Sequence, residues 1–98
     1  MRKVLQEDEC MLGCLSVWGK DSQIKQCIEE CGELIAALAR VDKNNRIGVE
    51  ENIIEEIADV IITVRQMELL FGIDKVDDIL KEKMNKLKKR LEKDKTDY

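Results

Sequence analysis

Between Glu50 and Phe71 the chain sets Ile53, Ile54, Ile57, Val60, Ile61, Ile62, Val64, Met67, Leu69 and Leu70 at spacings that leave nearly every side of a helix apolar. A helix of that kind has to be covered all round. With 98 residues, the chain has the size of one domain and buries roughly two-thirds of its unfolded surface at best. It can hardly cover this helix alone, and the sequence therefore predicts a homodimer or homotetramer.

The same spacing argument finds three further helices. The first, near residues 2–17, carries Val4, Leu5, Met11, Leu12, Leu15 and Val17 and ends around Trp18-Gly19. The second starts after Asp21 or Ser22, either a good N-cap, and presents Ile24, Cys27, Ile28, Cys31, Leu34, Ile35 and Leu38 along one face. It stops near Asp42, where residues 43–48 supply a turn. Gly72 ends the third helix, and Asp74 with Asp77 resembles the capped start of a fourth, which runs to about Lys93 with Val76, Leu80, Met84, Leu87 and Leu91 in one stripe. The predicted fold is all-α: a four-helix, bundle-like single domain over residues 1–98 with a central antiparallel hairpin of the second and third helices. The absence of proline and an aromatic content of 3% suit long helices better than a β-sandwich or barrel.

Charge is segregated. Residues 1–80 hold 9 basic and 17 acidic groups, and residues 81–98 hold 8 and 4. The acidic body would repel a phosphate backbone and no aromatic stacking platform accompanies the lysines, so no polynucleotide partner is expected. No stretch approaches the roughly 18 uncharged apolar residues that span a bilayer, and the N-terminus is interrupted by Glu7, Asp8 and Glu9. The expectation is a soluble, untargeted, cytoplasmic protein with reduced thiols and no membrane partner.

Two acidic strings stand out, Glu29-Glu30-Cys31-Gly32-Glu33 on the second helix and Glu55-Glu56-Ile57-Ala58-Asp59 on the third. Alone, each is a weak signal in so acidic a chain. If the two helices fold back around residues 44 and 45, Glu30 lies level with Asp59 and Glu33 level with Glu56, because residues three apart share a face and packed axes lie about 8–10 Å apart. The four acids fall beside the apolar stripes of their helices. Carboxylates gathered in partial burial repel and raise one another's pKa, a costly arrangement unless a cation neutralises it. Oxygen-only ligands favour Mg²⁺, with Mn²⁺ as a substitute. The bland alternative is a set of solvated acids pairing with Lys25 or Arg65.

Cys10 and Cys14 are one helical turn apart, as are Cys27 and Cys31, and a turn near Gly19-Lys20-Asp21 could gather all four. A tetrathiolate zinc site is thus geometrically open, yet structural zinc prefers shorter spacings in turns, and buried thiols packing as small hydrophobes are the favoured reading. Trp18 is expected to cap one end of the bundle, with contact to a bound ligand as the alternative. Gly32 costs helix stability relative to alanine, about 1 kcal/mol, which close approach of another backbone would justify.

Glu29-Glu30-x-x-Glu33, 22 intervening residues, then Glu56-x-x-Asp59 resembles the signature of the MazG-like all-α nucleoside triphosphate pyrophosphohydrolases, and the likeness covers roughly residues 15–90. It implies cleavage between the α and β phosphates of a nucleoside triphosphate, giving a nucleoside monophosphate and pyrophosphate. It implies Mg²⁺ ligation by Glu30, Glu33, Glu56 and Asp59, with Glu29 as general base or the residue that positions the attacking water. Lysine and asparagine on the last helix often meet phosphates in this superfamily. Lys81 and Asn85 match that spacing, with Lys83 and Lys86 as neighbours. The biological purpose implied is removal of noncanonical or surplus nucleotides. Two rivals remain: a phosphoribosyl-ATP pyrophosphohydrolase, and a non-catalytic helical module that only binds partners.

Overall fold

The computed structural model describes residues 7–41 and 49–96. They form four helices, α1 (Asp8–Trp18), α2 (Lys20–Ala39), α3 (Val49–Phe71) and α4 (Ile73–Thr96), which hold 94% of the described residues. No strand occurs among them, and the chain is an all-α, four-helix single domain. None of these helices is long and apolar enough to cross a membrane. The predicted turn at 43–48 and the first residues of the predicted first helix lie outside the described residues.

Single glycines punctuate the helices. At Gly19 the backbone takes φ 87° and ψ 150°, a conformation open essentially to glycine alone. Gly19 N–H donates to the Leu15 carbonyl and its own carbonyl accepts from Gln23 N–H, so α1 closes and α2 opens on the same residue. Neither Asp21 nor Ser22 is the N-cap expected of it; Gly19 takes that position with no side-chain hydrogen bond. Gly72, at φ 119°, likewise accepts from Val76 N–H and donates to the Glu68 carbonyl. α2 ends at Ala39, three residues before the expected stop. α4 runs on to Thr96, whose hydroxyl donates to the Lys93 carbonyl, where fraying had been expected from about Lys93.

α2 and α3 share the most extensive interface, α1 packs on both, and among the described helices α4 touches α3 alone. Partners along α2 and α3 change in opposite order: Gln23 Nε2 donates to Gln66 Oε1 at 2.6 Å, Glu30 meets Asp59, and Glu33 meets Glu56. The second binding element between helices is Arg65 of α3. Its Nε and Nη2 donate to the two Asp8 oxygens at 2.9 and 2.8 Å, and its Nη1 donates to Glu68 at 2.9 Å. That fork-to-carboxylate geometry fixes α1 against α3.

Polar side chains hold part of the interior. Met11 and Ala37 are the buried apolar residues among those described, while Gln23, Thr63, Gln66 and Glu68 are the buried polar ones. Thr63 satisfies its hydroxyl on the Asp59 and Val60 carbonyls. Parts of the apolar stripes are exposed, Ile28, Ile35 and Leu38 on α2 and Ile54, Ile57, Ile61 and Val64 on α3, while Ile24, Leu34, Ile53, Val60 and Met67 are half-buried. Glu56, Asp59, Thr63 and Gln66 repeat at spacings of three, four and three residues on α3, and so do Ile54, Ile57, Ile61 and Val64; at 3.6 residues per turn these are two separate faces. The polar one meets α2 and the apolar one meets solvent. The radius of gyration, 16.8 Å, exceeds the value of about 13 Å for a compact domain of about 100 residues.

Candidate metal centre

The acids of α2 and α3 converge because they lie on the faces by which these helices pack. Glu30, Glu33 and Glu56 each offer a carboxylate oxygen within 4.8 Å of the others. Asp59 approaches Glu30 closely enough to hydrogen-bond and act on its charge, but it is not one of the three mutually adjacent groups. Glu30 and Glu56 are half-buried, whereas Glu33 and Asp59 are exposed.

Withdrawal from water is the main cause pushing the Glu30 carboxyl above the usual carboxylate range, and the negative charges of Glu33 and Asp59 add to it; a hydrogen bond from Gln26 opposes the rise. Burial is likewise the first cause raising Glu56, followed by the charge of Glu33 and a hydrogen bond between their carboxyls. Gln26 Nε2 donates to Glu30 Oε1 at 2.7 Å. The opposite oxygen, Glu30 Oε2, is buried with no partner, and so is Glu56 Oε2.

A buried acceptor left without a hydrogen bond costs free energy, more when it is charged. Two such oxygens in one carboxylate cluster, with no nitrogen or sulfur donor in the set, fit a hard divalent cation. Lys25 and Arg65 do not offset the cluster: Arg65 is engaged by Asp8 and Glu68, and no lysine or arginine is among the groups acting on Glu30 or Glu56.

Other candidates lie apart from these acids. Glu29 is exposed on α2, one residue before Glu30. Lys81, Lys83, Asn85 and Lys86 are exposed on α4, which makes no contact with α2. Lys83 lines a groove of about 440 Å³ at the α3–α4 junction together with Phe71, Lys75, Val76, Ile79 and Leu80. Trp18, 62% exposed at the end of α1, covers no end of a bundle.

Nor do the cysteines gather. Cys14 interacts with Cys10 and Cys31 with Cys27, but no three of them form a group able to hold a metal. The thiols are not buried either: Cys10 is exposed and the other three are half-buried. A Cβ on Gly32 would meet nothing within 4 Å, so no backbone approach explains that glycine.

Sequence reasoning missed Gln26 and the Gln23–Gln66 pair. The signals were present. Gln26 lies four residues before Glu30, the spacing at which helical side chains meet, and Gln23 and Gln66 obey the register that pairs Glu30 with Asp59.

The chain matches no curated protein and no solved structure. Residues 19–93 match the model of the MazG nucleotide pyrophosphohydrolase domain, a span that starts at the glycine between α1 and α2 and takes in the whole acidic cluster. By that match over most of its length, the chain belongs to the MazG nucleotide pyrophosphohydrolase domain family.

Proposed function

We propose that this chain hydrolyses a nucleoside triphosphate between its α and β phosphates, releasing a nucleoside monophosphate and pyrophosphate, with Mg²⁺ bound by Glu30, Glu33, Glu56 and Asp59. The observation that carries the reading is the pair of buried, partnerless oxygens, Glu30 Oε2 and Glu56 Oε2, in a carboxylate cluster of a chain whose family acts on nucleotide anhydrides. A bound divalent ion supplies charge neutralisation of the triphosphate and of the oxygens that gain charge during in-line attack.

The side chains divide the remaining work. Gln26 holds Glu30 by one oxygen and leaves the other free for ligation, a device that orients a ligand before the ion arrives. Glu33 and Asp59, on the exposed side, complete the charge of the set. Glu29, next to Glu30 and open to solvent, takes the proton of the attacking water or positions that water. Lys81, Lys83, Asn85 and Lys86 supply donors to phosphate oxygens.

The register of contacts between α2 and α3 supports an antiparallel hairpin, and the exposed isoleucine stripes support a homodimer or homotetramer that covers them. Triphosphates and Mg²⁺ both abound in the cytoplasm, where we place the reaction. The test is incubation of the full chain with a panel of ribo- and deoxyribonucleoside triphosphates and phosphoribosyl-ATP, with and without Mg²⁺. Release of pyrophosphate and a monophosphate is expected. Release of inorganic phosphate alone, or of neither product from any nucleotide, overturns the proposal.

A further inference from the structure

All four cysteines of the chain fall in pairs one helical turn apart, Cys10 with Cys14 on α1 and Cys27 with Cys31 on α2. Residues four apart on a helix are neighbours, and in both pairs the thiols are close enough to hydrogen-bond, Cys14 with Cys10 and Cys31 with Cys27. Cys10 is exposed and the other three are half-buried, so each pair can be reached from solvent. The acidic centre makes no use of them, and the α1 pair lies outside residues 19–93, the span matched by the family.

Chemistry narrows what such pairs can do. A nucleophilic cysteine needs a thiolate, favoured by a nearby cation or a helix N-terminus; here withdrawal from water, and then the charge and hydrogen bond of Cys10, hold the Cys14 thiol above its ordinary value. A disulfide needs Cβ atoms about 3.5–4.5 Å apart, whereas helix neighbours stand about 5–6 Å apart, so direct closure would distort the turn. One atom set between the two sulfurs spans that gap with the helix intact. Soft thiolate sets take zinc, iron–sulfur clusters or Cu(I). Zinc and the clusters ask for four ligands. The chain has no histidine, and among the described residues no third cysteine or carboxylate joins either pair within 4.8 Å. What remains is Cu(I), a filled-shell monovalent cation that two thiolates satisfy.

We infer that each cysteine pair is a two-coordinate site for Cu(I), which bridges the two sulfurs and staples one turn of its helix. Binding exchanges protons for the ion: two S–H groups and one Cu⁺ give one S–Cu–S bridge of single negative charge and two released protons, with no change of oxidation state. The α1 bridge begins two residues after Asp8, whose carboxylate holds Arg65 of α3, and the α2 bridge closes the turn that carries Glu29 and Glu30. Neither site depends on nucleotide hydrolysis.

The test is anaerobic titration of the reduced full chain with Cu(I) in competition with a chromogenic Cu(I) chelator. Two ions per chain are expected, with two sulfur ligands for each copper by X-ray absorption. Cys10→Ser and Cys27→Ser should each lose one of the two ions, and the double variant should lose both. A further variant, Cys14→Ser with Ser16→Cys, keeps four thiols but moves one to an exposed position about 120° round the helix from Cys10. It should hold one ion against the chelator where the wild type holds two. A wild type that holds fewer than two, a count of two kept by any of these variants, or three or more sulfurs for each ion overturns the inference.

Discussion

Replacing Glu30 by glutamine should stabilise the metal-free chain while weakening its hold on Mg²⁺, two changes of opposite sign from one atom. Glu30 has carboxylate oxygens of Glu33 and Glu56 within 4.8 Å. At that separation one pair of unit charges repels by about 1 kcal/mol in a water-like dielectric and about 3 kcal/mol at an effective value near 20. Glu33 is exposed and solvent screens it, which selects the lower end. Glutamine keeps an oxygen able to accept from Gln26, so the bond at 2.7 Å is retained. The expected gain is about 1 kcal/mol, a rise in Tm of about 4–8 °C for a domain of this size.

The effect also has a pH signature. Because the Glu30 carboxyl titrates above its usual range in the folded chain, the folded state binds the proton more tightly than the unfolded one, and metal-free stability falls as pH rises through that raised value. Glu30→Gln should flatten this fall. Circular dichroism melts in EDTA from pH 4.5 to 7.5, repeated with Mg²⁺ near 100 times its Kd, give both readouts; saturation at that ratio stabilises the wild type by about 2.7 kcal/mol and the variant by much less. A variant that melts below wild type in EDTA, or that gains as much from Mg²⁺, would refute the reasoning.

Glu29→Gln should retain Mg²⁺ binding by calorimetry and lose most pyrophosphate release; unchanged turnover removes Glu29 from its assigned role. The Arg65 guanidinium, chiefly by hydrogen bonding, holds the Asp8 carboxyl below its ordinary range, so Asp8 contributes stability above pH 4 that disappears as pH falls through the lowered value. Acid melts of Asp8→Asn should lose that dependence, and a variant with the wild-type acid transition contradicts the pairing. Gly19→Ala forces a side chain into φ 87° and should cost about 1–3 kcal/mol in urea unfolding; no loss means that the α1–α2 junction relaxes freely.

Helices were readable from apolar spacing because that signal is local, and Gly72 ends α3 as its freedom at positive φ allows. The level of Glu30 with Asp59 and of Glu33 with Glu56 followed from a simple fold-back register, and Gln23 with Gln66 obeys it too. Which face turns inward was not readable. Periodicity read Ile54, Ile57 and Ile61 as needing cover that one chain could hardly give, and they stand exposed, but it did not say that Thr63 and Gln66 would lie inside. The thiols, read chiefly as buried small hydrophobes, are exposed or half-buried instead, and the less favoured convergence of all four is not seen. Trp18 carried no periodic information at all, and its exposure depends on what α1 meets beyond its last turn.

Calorimetric titration of Mg²⁺, and then Mn²⁺, into the full chain tests whether Glu30, Glu33, Glu56 and Asp59 form a cation site. Saturable binding at or below millimolar metal is expected, strengthened by a non-hydrolysable triphosphate and lost in Glu56→Gln. Absence of binding at millimolar metal, with nucleotide or without, would contradict the account.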